Sequence, residues 1–373
     1  MPEFDFDVLI IGAGAAGVGV GRIFKELGLS RFTLLERHEI GATFRRWPRE
    51  MRFISPSFTS NAYGLLDLNA VALDTSPAFS LADEHPSGRS FARYLEGVVE
   101  EFSIPVTTGV EVTGIETLET PAGFCVSTTQ GALTSRFVVW AAGEFQYPRL
   151  TPFPGGQLCR HNSTVSSWRA LEGDEFLILG GSESGIDAAT RLCSYGKRVR
   201  VVDRGEPWDE EGSDPSATLS PITLRRLDRA LATERLELIG KETVDRVTQR
   251  AGKYCVTMAS GLELSSPTPP ILCTGFAGSL TLIGDKFEWN DDGVPSLSEI
   301  DESTKTPGLF VTGPLVRHEQ LVLCFIYKFR QRFAVVADAI AERLGLDRTP
   351  LERYRLQRMF LDDLSCCEET CAC

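Results

Sequence analysis

The sequence of 373 residues has little basic charge and no long apolar run. Its 38 Lys and Arg residues are outnumbered by 51 Asp and Glu residues, a net charge of −13, and no basic cluster is long enough to follow a phosphate backbone. The longest apolar stretches, near Val8–Ile11 and Leu321–Ile326, are too short to span a bilayer. We therefore expect no nucleic-acid or membrane partner, and we predict a cytoplasmic protein without a signal peptide.

Cysteine is sparse in the body of the chain and dense at its end. Six of the ten cysteines are scattered as far as Cys324, and four lie within the last eight residues, at Cys366, Cys367, Cys371 and Cys373. This distribution argues against the disulfide framework of a small secreted protein. It indicates reactive thiols at the end of the chain.

A glycine-rich loop follows the first apolar strand. Residues 8–17 read VLIIGAGAAG, and a second predicted strand ends at Glu36. The three glycines provide a tight turn, close backbone approach to a pyrophosphate and close packing of helix on strand, while the acidic residue accepts the ribose hydroxyls. The pattern predicts a dinucleotide at the N-terminus of the following helix.

A second loop of the same kind begins 168 residues later. Residues 176–185 read FLILGGSESG, and the following strand ends at Asp203. Ser182 replaces the middle glycine, and its hydroxyl can donate to a phosphate oxygen. Because one such loop can be merely structural whereas two in tandem rarely are, the sequence predicts two dinucleotide sites.

The residues after the second loop bear on the choice of nucleotide. The carboxylate of Asp203 repels the additional phosphate of NADPH, which favours NADH. Arg204, together with Arg198 and Arg200, offers cations that can pair with that phosphate. NADH is therefore the slight preference, and NADPH stays open.

Three later segments suggest how the two sites are arranged along the chain. Residues 137–143 form a predicted strand that runs into a small-residue turn, residues 271–276 repeat this pattern, and residues 306–314 return the chain to the first sheet. A chain of this length with 42% apolar residues can build more than one core. We predict an α/β protein with two Rossmann-like dinucleotide-binding domains, the second inserted into the first.

With these landmarks the chain resembles, up to about Arg358, the flavoproteins with two dinucleotide-binding domains, which include thioredoxin-reductase-like enzymes and flavin-containing monooxygenases. The resemblance implies an FAD domain at residues 1–150 and 281–361, an inserted NAD(P)H domain at residues 151–280 and a Cys-rich tail at residues 362–373. It further implies an FAD-dependent NAD(P)H oxidoreductase in which the nicotinamide passes a hydride to the flavin.

The resemblance also implies which residues bind the cofactors. In and around the first loop they are Gly12, Gly14, Ala15, Ala16, Gly17, Glu36, Arg37, Phe44, Arg45, Val112, Ala142, Gly143, Gly313, Pro314 and Gln320. In the inserted segment they are Gly180, Ser182, Glu183, Ser184, Gly185, Asp203, Arg204 and Gly275. Pro314 stands where the family has an aspartate that contacts the ribityl chain of FAD, so another residue must make that hydrogen bond.

An apolar repeat predicts a core helix from Glu319 to Leu344. By the resemblance, its N-terminus points at the flavin ring, where the helix dipole favours the anionic reduced form. His318 stands at the predicted start without a partner visible in the sequence. Cys324 is interpreted as a small buried hydrophobic residue.

The C-terminal cysteines carry the favoured functional hypothesis. Thiols at a chain end have no core to fill, so Cys366, Cys367, Cys371 and Cys373 are expected to take electrons from the flavin and reduce a disulfide or a thiophilic metal or metalloid. The tail resembles the paired C-terminal cysteines of mercuric reductases and the redox tail of large thioredoxin reductases. Glu368 and Glu369 raise the pKa of neighbouring thiols, so thiol attack is slow unless a base helps.

Two alternatives stay open. Ser60 and Asn61 resemble a motif of flavin-containing monooxygenases, which places Asn61 at the flavin edge and implies oxygenation of a soft sulfur or nitrogen nucleophile. A second monooxygenase motif is altered, because His161 is displaced from its usual spacing after Phe153. The four tail thiols can also bind Cu(I) or Zn(II), as in a metal store or redox sensor. The substrate is a small molecule or a thiol compound, and a homo-oligomer is left open.

Overall fold

The structure is a computed structural model that describes residues 4–59, 66–212, 216–319 and 321–364. The chain divides into two compact units. Taken over the described positions, the first unit comprises residues 4–45, 55–144 and 278–364, and the second comprises residues 46–54 and 145–277.

Within the described residues the structure contains seventeen strands. In chain order they are β1 Phe6–Ile11, β2 Phe32–Glu36, β3 Val106–Thr108, β4 Val112–Glu119, β5 Ala122–Thr128, β6 Gly131–Trp140, β7 Arg160–His161, β8 Glu175–Leu179, β9 Arg198–Val202, β10 Leu236–Ile239, β11 Val244–Arg250, β12 Lys253–Met258, β13 Glu263–Ser266, β14 Ile271–Leu272, β15 Leu309–Val311, β16 Arg317–His318 and β17 Leu321–Val322.

The same residues form nine α-helices and several short 3-10 helices. The α-helices are α1 Ala15–Glu26, α2 Ala42–Arg45, α3 Pro77–Leu81, α4 Gly88–Glu101, α5 Glu183–Ser194, α6 Pro221–Leu231, α7 Ile326–Phe329, α8 Phe333–Leu344 and α9 Glu352–Leu356. The 3-10 helices are Gly156–Leu158, Asn162–Thr164, Ser279–Lys286, Arg330–Arg332 and Thr349–Leu351. No helix in the described part of the chain is long and apolar enough to cross a membrane.

The main sheet of the first unit contains strands that precede the second unit in sequence and one strand, β15, that follows it. Strands β3, β2, β1, β6 and β15 pair in that order and all run parallel. Strand β6 continues into an antiparallel extension through β5 to β4. Because β15 follows the second unit and still pairs with β6, the predicted α/β fold with an inserted second domain is confirmed.

Helix α1 is enclosed in the first unit, and every residue from Ala15 to Phe24 is buried. Its glycines allow neighbouring elements to approach closely. A Cβ atom at Gly19 would lie 2.1 Å from the ring of Phe333 on α8, and one at Gly21 would lie 3.0 Å from Leu34 on β2. Small residues therefore permit a helix to be enclosed on all sides.

The second unit contains a five-stranded parallel sheet in the order β10, β9, β8, β14 and β7. Alternate residues of β8 point to opposite faces. Phe176 and Ile178 join an apolar cluster that includes residues of α5 and α6, whereas Leu177 and Leu179 join one that includes residues of the antiparallel sheet β11–β13. Burial on both faces explains the unbroken apolar run of this strand.

Residues 46–54 belong to the second unit although they precede it in sequence. Glu50 anchors this segment, because its carboxylate accepts hydrogen bonds from the Ser167 hydroxyl at 2.6 Å and the Trp168 backbone N–H at 3.0 Å. Burial opposes ionisation of Glu50, but these hydrogen bonds outweigh it and lower the pKa of the carboxyl group.

The helix predicted from Glu319 to Leu344 is wrong in its first part. Strands β16 and β17 form a hairpin in which His318 pairs with Leu321, and helical structure begins only at Ile326. Glu319 has a φ of +49°, which is incompatible with a right-handed helix. Turn geometry thus overrides the apolar repeat here, whereas from Ile326 onward the repeat does correspond to helix.

Replacing Gly19 by alanine is expected to destabilise the first unit by about 1–3 kcal/mol, because the added methyl group overlaps the Phe333 ring. Urea unfolding of the purified protein measures the effect. Gly97 on α4 is the matched control, since a Cβ there meets no atom within 4 Å. Gly97→Ala is expected to be neutral or to stabilise the protein by up to about 1 kcal/mol. Equal stability of the two variants would contradict this packing.

Candidate functional site

Two glycines of the first loop are required by the fold itself. Gly12 has a φ of +106°, and a Cβ atom on it would lie 2.8 Å from the Ala141 carbonyl oxygen. A Cβ on Gly17 would lie 2.0 Å from the carbonyl oxygen of Gly12. Either methyl group would separate α1 from the sheet, so these glycines secure the close packing of helix on strand.

Gly14 is different, because nothing in the protein requires a glycine there. Its φ of −84° and ψ of −168° suit any residue, and a Cβ on it would meet no atom within 4 Å. The open space lies at the start of α1, which has no acidic residue in its first turn. A pyrophosphate that needs close backbone contact explains this glycine, so the loop fits a bound dinucleotide.

The start of α1 shares one more property with the start of α5. Helices α3, α4 and α6 are capped by the serine hydroxyls of Ser76, Ser87 and Ser220, which accept backbone hydrogen bonds. Neither Gly14 before α1 nor Ser182 before α5 makes a side-chain cap, and the short or C-terminal helices α7, α8 and α9 lack one as well. The first N–H groups of α1 and α5 are therefore left to bind an anion.

Glu36 is held beside the first loop at the end of β2. Its Oε2 atom accepts a hydrogen bond from the Ala13 N–H at 2.9 Å, and its Oε1 atom accepts one from the His38 N–H at 2.9 Å. The buried carboxylate is thus fixed where the resemblance expects a ribose. Arg37 pairs with Glu111 at 3.3 Å, which places it next to Val112.

The carboxyl ends of β6 and β15 lie beside the first glycine-rich loop. Ala142 and Gly143 follow β6, and Gly143 has a φ of +67° with open space around its Cβ position. Gly313 follows β15, and a Cβ on it would lie 3.1 Å from the Ala16 side chain. The structure therefore gathers the predicted residues of the first loop and these two turns at one sheet edge, the edge where open α/β sheets bind ligands.

Two predicted cofactor ligands are engaged elsewhere in the first unit. Phe44 is buried, with its ring centroid 4.7 Å from that of Phe91 on α4. Arg45 forms ion pairs with Glu39 at 3.3 Å and with Glu96 on α4. Contact of Arg45 with a phosphate would compete with both carboxylates.

The second loop repeats the construction of the first. Gly180 has a φ of +105°, and its Cβ would lie 2.4 Å from the Cys273 carbonyl oxygen. A Cβ on Gly185 would lie 1.9 Å from the Gly180 carbonyl oxygen. Asp203 accepts hydrogen bonds from the Gly181 N–H at 2.6 Å and the Gly205 N–H at 2.8 Å, as Glu36 does in the first loop.

The side chain of Glu183 stabilises the start of α6. Its carboxylate accepts hydrogen bonds from the Thr223 hydroxyl at 2.6 Å and from the Ser220 backbone N–H at the start of α6. Glu183 and Ser184 form the first turn of α5. A nucleotide contact there is therefore left to their backbone N–H groups and to the Ser184 hydroxyl.

His161 fixes the turn at Gly275, a role that the sequence did not reveal. The Ser163 N–H donates to His161 Nδ1 at 3.2 Å, so Nε2 carries the proton and donates to the Gly275 carbonyl oxygen at 3.1 Å. Burial lowers the pKa of His161 and favours this neutral form. Gly275 has a φ of +86° and follows β14, just as Gly143 follows β6.

The three arginines near Asp203 have different surroundings. Arg198 pairs with Glu175, and Arg200 donates to the Ser265 carbonyl oxygen. Arg204 is exposed and has no ion pair among the described residues. Of the three, Arg204 is the cation that remains available at the end of β9.

His318 has a partner that its sequence context did not suggest. Its Nε2 atom lies 2.6 Å from Asp301 Oδ1, and Arg332 binds both oxygens of the same carboxylate. His318 and Asp301 are 17 positions apart in the sequence, and no motif links them. Burial raises the pKa of Glu144, which directly follows Gly143. The charge of Arg317 opposes this shift.

The described cysteines form no disulfide with one another, and burial raises the pKa of three of them. The described cysteines are Cys125, Cys159, Cys193, Cys255, Cys273 and Cys324. Burial raises the pKa of Cys159 to about 12 and that of Cys193 to about 11, and it raises the pKa of Cys273 further. The interpretation of Cys324 as a buried hydrophobic residue is wrong: it is exposed, because β17 ends before it and α7 begins after it.

Several predicted residues lie outside the described part of the chain. They are Asn61, Gln320, Cys366, Cys367, Cys371 and Cys373. No group of three or more potential metal ligands occurs among the residues that the structure describes. Pro314, by contrast, is described. It lies in the turn after β15, where its carbonyl oxygen accepts a hydrogen bond from Arg317 at 2.9 Å.

Comparison with curated proteins gives two informative relatives. An uncharacterized oxidoreductase CzcO from Bacillus velezensis is 30% identical over 198 residues, which are 50% of this chain and 52% of that protein. The chain thus spans about half the length of the first relatives that it matches. The bacilliredoxin reductase Bdr of Bacillus subtilis is 22% identical over 344 residues, covering 90% of this chain and 97% of that protein.

Solved structures share the fold. Bacillithiol disulfide reductase from Staphylococcus aureus superimposes with a TM-score of 0.73 at 18% identity and covers 91% of this chain and 98% of its own. A flavin-containing monooxygenase from Stenotrophomonas maltophilia gives a TM-score of 0.72 at 15% identity with the same coverage. The family model for pyridine nucleotide-disulphide oxidoreductases matches residues 9–313. The chain therefore belongs to the family of pyridine nucleotide-disulphide oxidoreductases.

Proposed function

We propose that this protein is an FAD-dependent NAD(P)H oxidoreductase that reduces a disulfide, or a thiophilic metal or metalloid, through its C-terminal cysteines. The observation that carries this proposal is the position in the chain of the thiols whose pKa burial does not raise. Burial raises the pKa of three body cysteines, Cys324 is the exposed one among the described residues, and four further thiols lie within the last eight residues of the sequence. A relative and a structural neighbour named as disulfide or bacilliredoxin reductases support a thiol-containing substrate. The cytoplasmic location and the oligomeric state stay predictions.

The two loops supply the cofactor part of the proposal. The first loop, with Gly14 and Glu36, would hold the pyrophosphate and ribose of FAD, and the second loop, with Ser182 and Asp203, would hold NAD(P)H. When bound, FAD supplies the redox chemistry by accepting a hydride and passing two electrons onward. The chain contributes binding, orientation and charge: uncapped helix starts for the phosphates and fixed carboxylates for the ribose hydroxyls.

Replacing Gly14 by alanine is expected to weaken FAD binding at least about tenfold while leaving the unfolding of the apoprotein nearly unchanged. The added methyl group meets no protein atom, so it conflicts only with a ligand that approaches the backbone. Flavin fluorescence titration of the apoprotein measures the dissociation constant. Gly97→Ala is the control, because its Cβ position is equally open but lies on α4. Unchanged FAD affinity in Gly14→Ala would refute the assignment of this loop.

We propose NADH as the preferred nucleotide. Asp203 presents a carboxylate at the end of β9, held by the Gly181 and Gly205 N–H groups. A 2′-phosphate there would meet this negative charge. Arg198 and Arg200 are engaged away from the loop, so only Arg204 of the three is left to compensate.

Arg204→Ala is expected to leave kcat/KM for NADH within about twofold of the unmodified protein and to lower that for NADPH several-fold, because Arg204 is the available phosphate partner. Ferricyanide reduction with each nucleotide measures both values. Arg198→Ala is the control, since Arg198 pairs with Glu175. A preference of the unmodified protein for NADPH by more than tenfold would contradict the proposed choice.

The proposed reaction consists of two thiol–disulfide exchanges. One tail thiolate attacks a substrate disulfide, forming a mixed disulfide and releasing one substrate thiol; a second tail thiol then closes a tail disulfide and releases the other. The two electrons and two protons supplied by NAD(P)H and one proton would return the tail to the dithiol state and balance each cycle.

Replacing Cys366, Cys367, Cys371 and Cys373 together by serine is expected to abolish NADH-dependent disulfide reduction while leaving FAD content and ferricyanide reduction intact. Disulfide reduction is followed as thiol release from a low-molecular-weight aromatic disulfide. Cys255→Ser is the control, because Cys255 is a half-buried residue of β12 in the body of the protein. Full disulfide reduction by the fourfold variant would retire the proposal.

Oxygen consumption by the same fourfold variant separates the oxygenation alternative. A monooxygenase would consume one oxygen molecule per NADH and yield an oxygenated sulfur or nitrogen compound, with or without the tail cysteines. The metal-store alternative predicts metal binding that is independent of NADH and no turnover.

A further inference from the structure

Pro314 stands where the resemblance expects an aspartate, and this leaves the ribityl chain of FAD without one expected partner. The proline side chain has no hydrogen-bonding group, and its carbonyl oxygen already accepts a hydrogen bond from Arg317 Nη1 at 2.9 Å. The ribityl chain is a polyol, whose hydroxyl groups need partners when they leave water. A substitute for the aspartate is therefore expected near the turn after β15.

The strand pairing brings one carboxylate to this turn. Strands β6 and β15 are parallel, with Trp140 paired to Val311. Glu144 lies four residues beyond the end of β6, and Pro314 lies three residues beyond the end of β15. The two segments therefore leave the same edge of the sheet side by side.

The first residues of the first unit after the second unit connect these two segments. The Ser279 N–H donates to the Gly143 carbonyl oxygen at 3.0 Å. A Cβ atom on the adjacent Gly278 would lie 2.8 Å from the side chain of Leu315. Glu144, which follows Gly143, is thereby held close to the turn after β15.

The electrostatic surroundings of Glu144 agree with this placement. Its side chain is partly buried, and burial raises the pKa of the carboxyl group while the nearby charge of Arg317 opposes the rise. Within the part of the chain that the structure describes, the Glu144 carboxylate accepts no hydrogen bond and forms no ion pair with Arg317. A carboxylate and a guanidinium group thus lie near each other without direct contact.

A hydroxyl group can satisfy both side chains at once, because it donates one hydrogen bond and accepts others. Nη1 of Arg317 is engaged by the carbonyl oxygens of Pro314 at 2.9 Å and Val316 at 3.3 Å. Its Nε and Nη2 atoms make no hydrogen bond to the described residues. A phosphate group would be repelled by the carboxylate of Glu144, whereas a neutral polyol suits this mixed pair of charges.

We propose that Glu144 replaces the missing aspartate and accepts a hydrogen bond from a ribityl hydroxyl of FAD, with Arg317 as its counter-ion. This inference rests on the proposed binding of FAD at the first loop and adds a ligand that the loop motif does not include. Glu144 is then required for the ribityl part of the cofactor and not for its adenosine diphosphate part.

Titration of the full-length apoprotein with FAD and with ADP tests this assignment without any turnover. ADP keeps the adenosine and diphosphate groups but lacks the ribityl chain. Glu144→Ala is expected to weaken FAD binding about tenfold, because a hydrogen bond to a charged acceptor is lost. The same variant is expected to bind ADP within about twofold of the unmodified protein, since the first loop is intact. Flavin fluorescence measures the FAD affinity, and calorimetry measures the ADP affinity.

Two control variants bracket this result. Gly14→Ala is expected to weaken the binding of both ligands, because the added methyl group meets the pyrophosphate that they share. Glu342→Ala removes an exposed carboxylate of α8 and is expected to change neither affinity. Glu144→Gln keeps the size of the side chain but not its charge, so it serves if the alanine variant does not fold. It is expected to weaken FAD binding several-fold and to leave ADP binding unchanged.

Pro314→Asp provides a rescue that a merely structural role of Glu144 would not allow. In the double variant Glu144→Ala/Pro314→Asp, the FAD affinity is expected to return to within about threefold of that of the unmodified protein. The absence of any recovery would overturn the inference. So would an FAD affinity of Glu144→Ala within about twofold of the unmodified value, or an equal loss of FAD and ADP affinity. If the unmodified apoprotein binds ADP but no FAD, the proposed function itself fails.

Discussion

The close approach of a helix to a sheet edge is the constraint on which the rest of the structure depends, and the chain meets it twice. In each unit a glycine with a φ near +105° follows the strand that leads into the loop, and a second glycine lies so close to the carbonyl oxygen of the first that a methyl group would overlap it. These contacts bring the uncapped first turns of α1 and α5 to the carboxyl edge of a parallel sheet. The geometry of both glycine-rich loops follows from this one packing requirement.

The same constraint explains which features could be predicted from the sequence. Steric overlap allows only glycine at four of these contacts, so the sequence predicts them: they are Gly12, Gly17, Gly180 and Gly185. The preceding strands can also be predicted, because burial on both faces requires an unbroken apolar run. Glu36 and Asp203 occupy fixed offsets from these loops. Because local rules of this kind depend on neighbours in sequence, the amino-acid sequence alone is sufficient to predict the α/β fold and the inserted arrangement.

The remaining features depend on contacts between distant residues. The pairing of His318 with Asp301 and the hydrogen bond from His161 to Gly275 join residues 17 and 114 positions apart, and neither pair follows a spacing rule. The helix predicted from Glu319 begins later because Glu319 adopts a positive φ in the β16–β17 hairpin. Likewise, the burial that deactivates Cys159, Cys193 and Cys273 is a tertiary property, so their loss of reactivity could not be inferred from composition.

The body of the protein and the C-terminal end of the chain differ in the chemical groups that they offer. The described body offers uncapped helix starts, fixed carboxylates and three thiols whose pKa burial raises, and Arg332 donates hydrogen bonds to Asp301 and to the Leu361 carbonyl oxygen. The most direct test of the central claim is anaerobic titration of the purified FAD-loaded protein with NADH, followed by the visible absorbance of the flavin. We expect loss of that absorbance with about one NADH per flavin. A protein that cannot retain FAD, or whose flavin is reduced by neither NADH nor NADPH, would contradict it.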